Sequence, residues 1–394
     1  MGERILIEGN AAVAYALKQI NPDVVAAYPI TPATEVVQVF SEYVANGEVD
    51  TEFVAVESEH SAMSACIGAS VAGGRVMTAT SAQGLALMWE MLYIASALRC
   101  PIVMTVANRA LSANINIHCD HSDSMGARDS GWVQLYSENT QEIYDNMIQG
   151  IRIAEHEDVR IPVMVCYDGF VLSHALEVIE TNTDEQVQQF IGEFHREDSL
   201  LDVDNPKTFG PLDLQDFYFE HKRQQAEVYE HIQPVVEQVG KEYGELSGRS
   251  YGPYELYRMD DAEVALVALG STAGTIKDVV DELREQGRKV GLVKLRMFRP
   301  FPAADLVDIL GGLKAVGVMD RSTSLGGFGA QLWTEIRSAL YGKSEVPVLD
   351  YIYGLGGREI QLAEIVNIFD DVERAARDGK VEDAQLIKYV GVRE

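Results

Sequence analysis

The sequence predicts an α/β protein built on parallel β-sheets with helices on both faces. Short apolar runs of strand length alternate with segments of helical periodicity over most of the 394 residues. Hydrophobic residues make up 47% of the chain, which is enough for a large buried core. At this length we expect two domains.

The first part of the chain contains five predicted strands. They are residues 23–28, 51–56, 75–80, 101–108 and 161–168. Helical segments separate them, and the first helix (AAVAYALKQI) is predicted to have Asn10 as its N-cap. Because strands joined through helices run parallel, we expect one parallel sheet here.

The stretch YPITP, from Tyr28 to Pro32, joins the first of these strands to a helix. Pro29 and Pro32 each fix their own φ and keep the preceding residue out of the α region, so Thr31 has little backbone freedom. Ligands of open α/β sheets bind beyond the carboxyl ends of strands. The junction is therefore either a binding site that presents the Thr31 hydroxyl or simply a rigid turn.

Polar side chains follow the other strands in the same way. The complete set just past strand ends is Thr31, Glu57, Glu59, Ser81, Gln83, Asn108, Arg109 and Asp168. Because parallel strands end on the same side, we expect these residues to line one edge of the sheet. Glu59 either caps its helix or is a buried acid–base group. Arg109 either clamps a substrate carboxylate or pairs with Asp120 or Asp123.

Beyond residue 180 the alternation breaks down. Residues 181–260 are polar and acidic and are predicted to be a linker with a packing helix, whereas residues 261–394 form a second α/β unit. Its glycine-rich loops at 270–274 and 326–329 match neither GxGxxG nor a Walker motif, so turns are favoured over phosphate sites. We therefore divide the chain into residues 1–180, 181–260 and 261–394.

Composition excludes several classes of function. The chain has 61 acidic and 32 basic residues and a net charge of −29, which disfavours binding to nucleic acid or an anionic membrane. No apolar run is long enough to span a bilayer and the N-terminal residues lack a signal-cleavage pattern, so we expect a cytoplasmic protein.

The cysteines and the motif DHSD do not indicate a metal site. Cys66, Cys100, Cys119 and Cys166 are far apart without any CxxC, so free buried thiols are expected and no iron–sulfur cluster. DHSD, at residues 120–123, has metal-ligand residue types, but its spacing matches no recognised site. We predict no metal in this chain and loop hydrogen bonds for DHSD.

Ten segments together resemble one family. In chain order they are YPITP, ESEHSA, TATSAQGLALMWEMLYIA, ANRALSA, DHSD followed by RDSGW, YDGF, DAEVALVALGS, VKLRMFRPFP, DRSTSLGG and YGLGGR. Over nearly the whole chain, this order resembles the alpha subunit of the thiamine-diphosphate-dependent 2-oxoacid:ferredoxin oxidoreductases. The resemblance implies a pyrimidine-type thiamine-diphosphate domain at residues 1–180 and a transketolase C-terminal-like domain at residues 261–394.

The resemblance also implies roles for particular residues. Glu59 is similar to the glutamate that hydrogen-bonds the aminopyrimidine ring and activates the cofactor. Thr31 and Arg109 are similar to the pair that holds the substrate carboxylate. The other residues implied at the cofactor are Tyr28, Pro29, Ser81 and Gln83, and those implied at the substrate pocket are Asn114, His118, Asp120 and His121.

What the chain lacks implies partners. The chain has no GDG motif followed by the asparagine that would complete a site for the diphosphate and its divalent metal. The resemblance therefore implies a beta subunit that binds the diphosphate through Mg²⁺, gamma and ferredoxin-like delta subunits, coenzyme A as co-substrate, and ferredoxin or another electron acceptor. This chain is expected to supply half of an active site.

Three alternatives compete with this interpretation. Another thiamine enzyme would share the cofactor half, but RPFP and ANRALSA disfavour it. A non-catalytic structural subunit would not need Thr31, Glu59 and Arg109. A nicotinamide-binding Rossmann protein would need GxGxxG after its first strand, and the motif is absent.

The segment SANINIHCDHSD, residues 112–123, bears on the substrate. Pyruvate-type and branched-chain-type members read close to SAPINIWNDHQD, so Asn114, His118, Cys119 and Ser122 differ here. Replacing Trp by His and Gln by Ser removes side-chain volume after the substrate arginine. We therefore expect an aromatic 2-oxoacid such as phenylglyoxylate, with pyruvate as the close second choice.

Overall fold

The computed structural model describes residues 2–379, 381 and 386–393. Its strands are β1 (Arg4–Glu8), β2 (Val24–Ala27), β3 (Glu52–Ala55), β4 (Val76–Thr80), β5 (Val103–Asn108), β6 (Val133–Tyr136), β7 (Val163–Asp168), β8 (Leu176–Glu180), β9 (Tyr254–Tyr257), β10 (Val264–Ala268), β11 (Val290–Leu295), β12 (Met297–Arg299), β13 (Ala315–Asp320), β14 (Val348–Ile352) and β15 (Ile387–Tyr389). Its α-helices are α1 (Gly9–Ile20), α2 (Thr34–Ala45), α3 (Glu59–Val71), α4 (Ala82–Leu87), α5 (Trp89–Ala97), α6 (Ser122–Gly126), α7 (Thr140–Glu155), α8 (Asp184–Ile191), α9 (Tyr218–Ser247), α10 (Thr272–Glu285), α11 (Ala303–Leu310), α12 (Gln331–Leu340) and α13 (Leu362–Asp378).

The larger sheet of the described residues confirms the predicted parallel sheet. Its order is β12-β6-β7-β5-β4-β2-β3, and every neighbouring pair is parallel except β12 with β6. Each of the five strands predicted from the sequence is present and slightly shorter than expected. The carboxyl ends of β2, β3, β4, β5 and β7 therefore lie on one edge.

Helices cover both faces of this sheet. One face packs against α1, α2, α7 and α9, which bury Phe40, Tyr144 and Tyr243. The opposite face packs against α3 and α5, which bury Met63 and Leu92. Strands buried on both faces have near-continuous apolar runs, as the sequences of β5 and β7 show.

The second sheet has the order β15-β14-β13-β10-β11-β9 within the described residues, parallel except for β9 with β11. Strand β9 precedes residue 261 yet joins this sheet, whereas β12 follows that residue and joins the larger sheet. One apolar core runs from α3 and α5 of the first unit into the second sheet. The two units are thus built together, and the three-part division stays a prediction.

Two local expectations were wrong, and one further feature was not predicted. Asn10 is not an N-cap, because α1 begins at Gly9 and the Asn10 side chain is buried inside its first turn. The sequence LALMWEMLYIASAL, residues 85–98, predicts one helix, but the structure divides it at Met88 into α4 and α5. Strands β1 and β8 pair antiparallel as a separate ribbon that the sequence did not indicate. No helix among the described residues combines the length and apolarity that a bilayer crossing requires.

Candidate active site

Arg109, just after β5, reaches back to the junction after β2. Its Nη1 donates a hydrogen bond to the main-chain oxygen of Thr31 at 2.9 Å, and its Nε donates to that of Asn116 at 3.2 Å. Arg109 is only 7% exposed, and this burial lowers the pKa of its guanidinium. A guanidinium carries five N–H donors, and Nη2 has no hydrogen-bond partner among the described residues. The group is therefore free to bind an anionic ligand.

The alternative that Arg109 pairs with Asp120 or Asp123 is not what the described residues show. The main-chain N–H of Arg109 donates to Asp123 Oδ2 at 3.0 Å, but its guanidinium forms no ion pair with any described carboxylate. Asp123 also accepts hydrogen bonds from the main-chain N–H of Ala82 and from the side chain of Asn108. Burial raises the pKa of Asp123 to about 6. As expected for DHSD, this aspartate organises loops.

Asn10 fixes the main chain of the Thr31 junction, a role that the sequence analysis did not predict. Asn10 Nδ2 donates to the main-chain oxygen of Pro32 at 2.6 Å, and Tyr167 donates to Asn10 Oδ1 at 2.8 Å. Asn10 is fully buried, whereas Thr31 is exposed. A fixed main chain with an outward side chain suits a ligand contact. A buried Asn in the first turn of a helix is the feature that could have indicated this role.

Glu59 is the first residue of α3 and is 6% exposed. Ser58 caps this helix, since its Oγ accepts a hydrogen bond from the N–H of Ser61, so capping does not account for Glu59. The Glu59 carboxylate accepts no hydrogen bond from any described residue. Glu57, by contrast, is exposed and accepts a hydrogen bond from the Ser61 hydroxyl.

The beginning of α4 lies against Glu59. A Cβ atom on Gly84 would lie 2.6 Å from Glu59 Oε1 and 2.5 Å from Thr80 Oγ1, so only glycine lets α4 pack this closely against the Glu59 carboxylate. Thr80 Oγ1 and Gln83 Oε1 are both buried and lack partners among the described residues. Oxygen acceptors that protein groups leave unpaired suit a ligand with N–H donors.

The other residues expected at the cofactor differ in accessibility. Gln83 Nε2 donates to Ser112 Oγ at 2.9 Å, which ties α4 to the loop after Arg109. The Ser81 hydroxyl is fully buried and donates to the main-chain oxygen of Ala107. Tyr28 is 37% exposed and Pro29 is also exposed, so both are accessible at this edge.

The four expected pocket residues divide into two pairs. Asn114 and His118 are exposed, and the His118 ring lies 5.0 Å from that of Phe170. Asp120 and His121 are buried. Asp120 accepts a hydrogen bond from the N–H of Gly356, in the second unit.

Models of two known domains match most of the chain. The thiamine-diphosphate-binding domain of pyruvate flavodoxin/ferredoxin oxidoreductases matches residues 15–241, and core domain II of pyruvate:ferredoxin oxidoreductase matches residues 262–365. The first match contains Thr31, Glu59 and Arg109. Together the two matches agree with the order of the sequence motifs.

Among similar proteins, pyruvate synthase subunit PorA of Thermotoga maritima is 55% identical over 393 residues, covering 100% of this chain and 99% of that protein. Ketoisovalerate oxidoreductase subunit VorA of Pyrococcus abyssi is 43% identical over 96% of this chain and 95% of that protein. A solved structure, 2-oxoglutarate:ferredoxin oxidoreductase from Magnetococcus marinus, has the same fold with a TM-score of 0.72. It is 22% identical and the match covers 94% of this chain and 65% of that one. The chain therefore belongs to the 2-oxoacid:ferredoxin oxidoreductase family, as a counterpart of its alpha subunits.

Proposed function

We propose that the chain supplies Glu59, Thr31 and Arg109 to an active site that it shares with a partner subunit, and that pyruvate is its main substrate. The enzyme is a CoA-acylating 2-oxoacid oxidoreductase. The observation that carries the proposal is the Arg109 guanidinium, which is bonded only to main-chain oxygens and lies on the same sheet edge as the unpaired Glu59 carboxylate.

The residues around Glu59 fit the aminopyrimidine half of thiamine diphosphate. Glu59, Thr80 and Gln83 provide oxygen acceptors, and Gly84 lets α4 approach the Glu59 carboxylate closely. When bound, the cofactor supplies the electron sink that allows a 2-oxoacid to lose CO₂. Glu59 would hold or accept a proton at the ring nitrogen, and its burial leaves little competing water around it.

Arg109 and Thr31 orient the substrate. A guanidinium with a free N–H edge binds a carboxylate through charge-assisted hydrogen bonds, which fix both position and direction. The main-chain oxygen of Thr31 accepts a hydrogen bond from Arg109, and the Thr31 side chain is exposed. Because the residues 29–32 are stiffened by two prolines, this arrangement is preorganised.

The remaining parts of the reaction belong to partners. The absence of a GDG motif supports a beta subunit that holds the diphosphate through Mg²⁺. The relatives are themselves named as subunits, which supports an assembly of several subunits. In that assembly, gamma and ferredoxin-like delta subunits would pass two electrons per turnover to ferredoxin or another acceptor. The Magnetococcus enzyme was solved with 2-oxoglutarate, coenzyme A and succinyl-CoA bound, which supports coenzyme A as the acyl acceptor here. Four free, buried cysteines agree with a cytoplasmic location.

Pyruvate is favoured over phenylglyoxylate for a structural reason. Of the four positions that differ from SAPINIWNDHQD, Cys119 is buried and contacts Asp168, and the Ser122 hydroxyl bonds Asp120 and the N–H of Leu111. Both side chains are hydrogen-bonded inside the protein, so neither position supports a pocket enlarged for a bulkier acyl group. The name of the Thermotoga relative also supports pyruvate. Exposed His118 keeps phenylglyoxylate as the second candidate.

Steady-state kinetics of the complex assembled with its partner subunits tests the proposal. We expect kcat/KM for pyruvate to exceed that for phenylglyoxylate, and the isolated chain to have no turnover with either. A preference for phenylglyoxylate would overturn the substrate assignment. Turnover by the chain alone would overturn the shared active site.

A further inference from the structure

A buried carboxylate joins the loop that carries Arg109 to the second sheet. This loop, residues 109–121, is called the arginine loop below. Asp168, fully buried at the end of β7, accepts hydrogen bonds from two residues of the loop, at 2.7 Å from His121 Nε2 and 3.4 Å from Cys119 Sγ. It also accepts hydrogen bonds from the second unit, at 2.8 Å from Arg321 Nη1 and 3.0 Å from the N–H of Ser271.

The charges in this cluster are balanced. Burial alone would raise the pKa of Asp168, but the charge of Arg321 and the interaction with His121 hold that pKa well below its usual range. Asp168 is therefore an ionised partner of a buried ion pair. Ion pairs of this kind are rigid, because separating the partners would leave a charge unpaired in the protein interior.

The second unit holds the arginine loop at further points. Asn116 Nδ2 donates to the main-chain oxygen of Gly356 at 2.9 Å, and the N–H of His121 donates to the main-chain oxygen of Arg321 at 2.8 Å. Asn116 is also the residue whose main-chain oxygen accepts from Arg109 Nε. The position of the Arg109 guanidinium thus depends on the arginine loop, which hydrogen bonds from the second unit hold in place.

We infer that Asp168 and Arg321 are positioning residues for Arg109. Their ion pair sets where the arginine loop lies and hence where the Arg109 guanidinium meets the substrate carboxylate. The inference gives neither residue a contact with the substrate. The inference rests on the proposed role of Arg109 in substrate binding.

A second buried ion pair provides a matched control. Asp145 is fully buried and accepts hydrogen bonds from Arg249 Nε at 2.7 Å and from the hydroxyls of Tyr243 and Tyr251 at 2.6 Å. It lies in α7 and makes no hydrogen bond to the arginine loop among the described residues. Arg249→Lys therefore perturbs a comparable ion pair without affecting Arg109.

The experiment compares Arg321→Lys with Arg249→Lys in two measurements. Lysine keeps the charge but lacks the planar fork, so both variants are milder than Asp168→Asn. In the assembled complex we expect Arg321→Lys to raise KM for pyruvate on the order of tenfold with kcat changed about twofold at most, and KM for coenzyme A to stay constant. In the same complex, hydrogen exchange should accelerate in residues 109–121. Arg249→Lys should change neither.

Each other outcome has a definite meaning. Equal changes in KM for the two variants, or unchanged exchange in residues 109–121 with Arg321→Lys, would overturn the positioning role. Arg109→Ala is measured beside them. If Arg109→Ala leaves KM for pyruvate unchanged, the proposed substrate role of Arg109 fails, while the exchange data still decide whether Asp168 and Arg321 hold the loop.

Discussion

Gly84 lies so close to Glu59 that a methyl group on Gly84 would come within 2.6 Å of the Glu59 carboxylate. Glu59 is 6% exposed and has no hydrogen-bond partner among the described residues. Buried polar groups are normally paired, so a buried carboxylate left unpaired indicates a ligand. This relationship between two helices, α3 and α4, is the basis for placing the cofactor here.

Gly84→Ala should displace the Glu59 side chain and weaken thiamine diphosphate binding. The backbone at Gly84 does not have positive φ, so alanine is acceptable conformationally and the chain should fold. We expect the cofactor affinity of the assembled complex, measured by calorimetry, to fall at least about tenfold, a loss of about 1.4 kcal/mol. Gly68→Ala, in α3, is the control because a Cβ there meets no atom within 4 Å. Equal cofactor affinities for the two variants would contradict the site.

Arg109→Ala should abolish productive binding of pyruvate while leaving the cofactor bound. Here the charge pair is that of Arg109 with the substrate carboxylate. Removing one partner of a buried charge pair typically costs about 2 to 5 kcal/mol, and this loss of binding free energy should appear mainly as a higher KM. Steady-state kinetics of the complex measures it. Arg99→Ala is the control, since the Arg99 guanidinium likewise donates to main-chain oxygens, those of Val159 and Arg160. A similar loss with Arg99→Ala would mean that Arg109 acts only through stability.

Two buried aspartates in the second unit predict a pH effect on stability. Asp320, at the end of β13, accepts hydrogen bonds from the N–H groups of Leu332 and Trp333, and Asp350 in β14 accepts one from that of Ala330. No described cation pairs with either. Burial, and then the charge of Asp350, raise the pKa of Asp320, and burial raises the pKa of Asp350.

The sign of the effect follows from linkage. The folded protein holds a proton that the unfolded chain releases above its ordinary carboxyl pKa of about 4, so stability falls as the pH rises from there toward neutrality. Asp350→Asn should flatten this fall, because it keeps an acceptor for Ala330 and removes one carboxyl group. Thermal unfolding between acid and neutral pH measures it, with exposed Asp50→Asn as the control. An unchanged pH dependence in Asp350→Asn would contradict the assignment.

The sequence predicted the parts of the fold that depend on local pattern. Strands β4, β5 and β7 are buried and mainly apolar, and a parallel arrangement places Thr31, Glu59 and Arg109 on one edge. That placement required only strand ends and direction. The charge and cysteine spacing also limited the classes of function without any knowledge of packing.

Long-range contacts were beyond sequence reasoning. β12 is only three residues long, and its antiparallel pairing with β6 joins residues more than a hundred positions apart. The letters of DHSD do not reveal that His121 is buried, because Asp168 and Arg321, which surround it, come from other elements. Asn10 was misassigned for the same reason, since its partners Pro32 and Tyr167 are distant in the chain.

The central claim is that Glu59 activates a cofactor that this chain shares with a partner subunit. The most direct measurement compares kcat of the assembled complex carrying Glu59→Gln with that of the complex carrying Glu57→Gln. Glutamine preserves shape but cannot assist proton transfer, which is typically worth about 10² to 10⁴ in rate. We predict a loss of this size for Glu59→Gln and nearly unchanged turnover for Glu57→Gln, whose side chain is exposed and bonded to Ser61. Equal turnover in the two variants would contradict the claim.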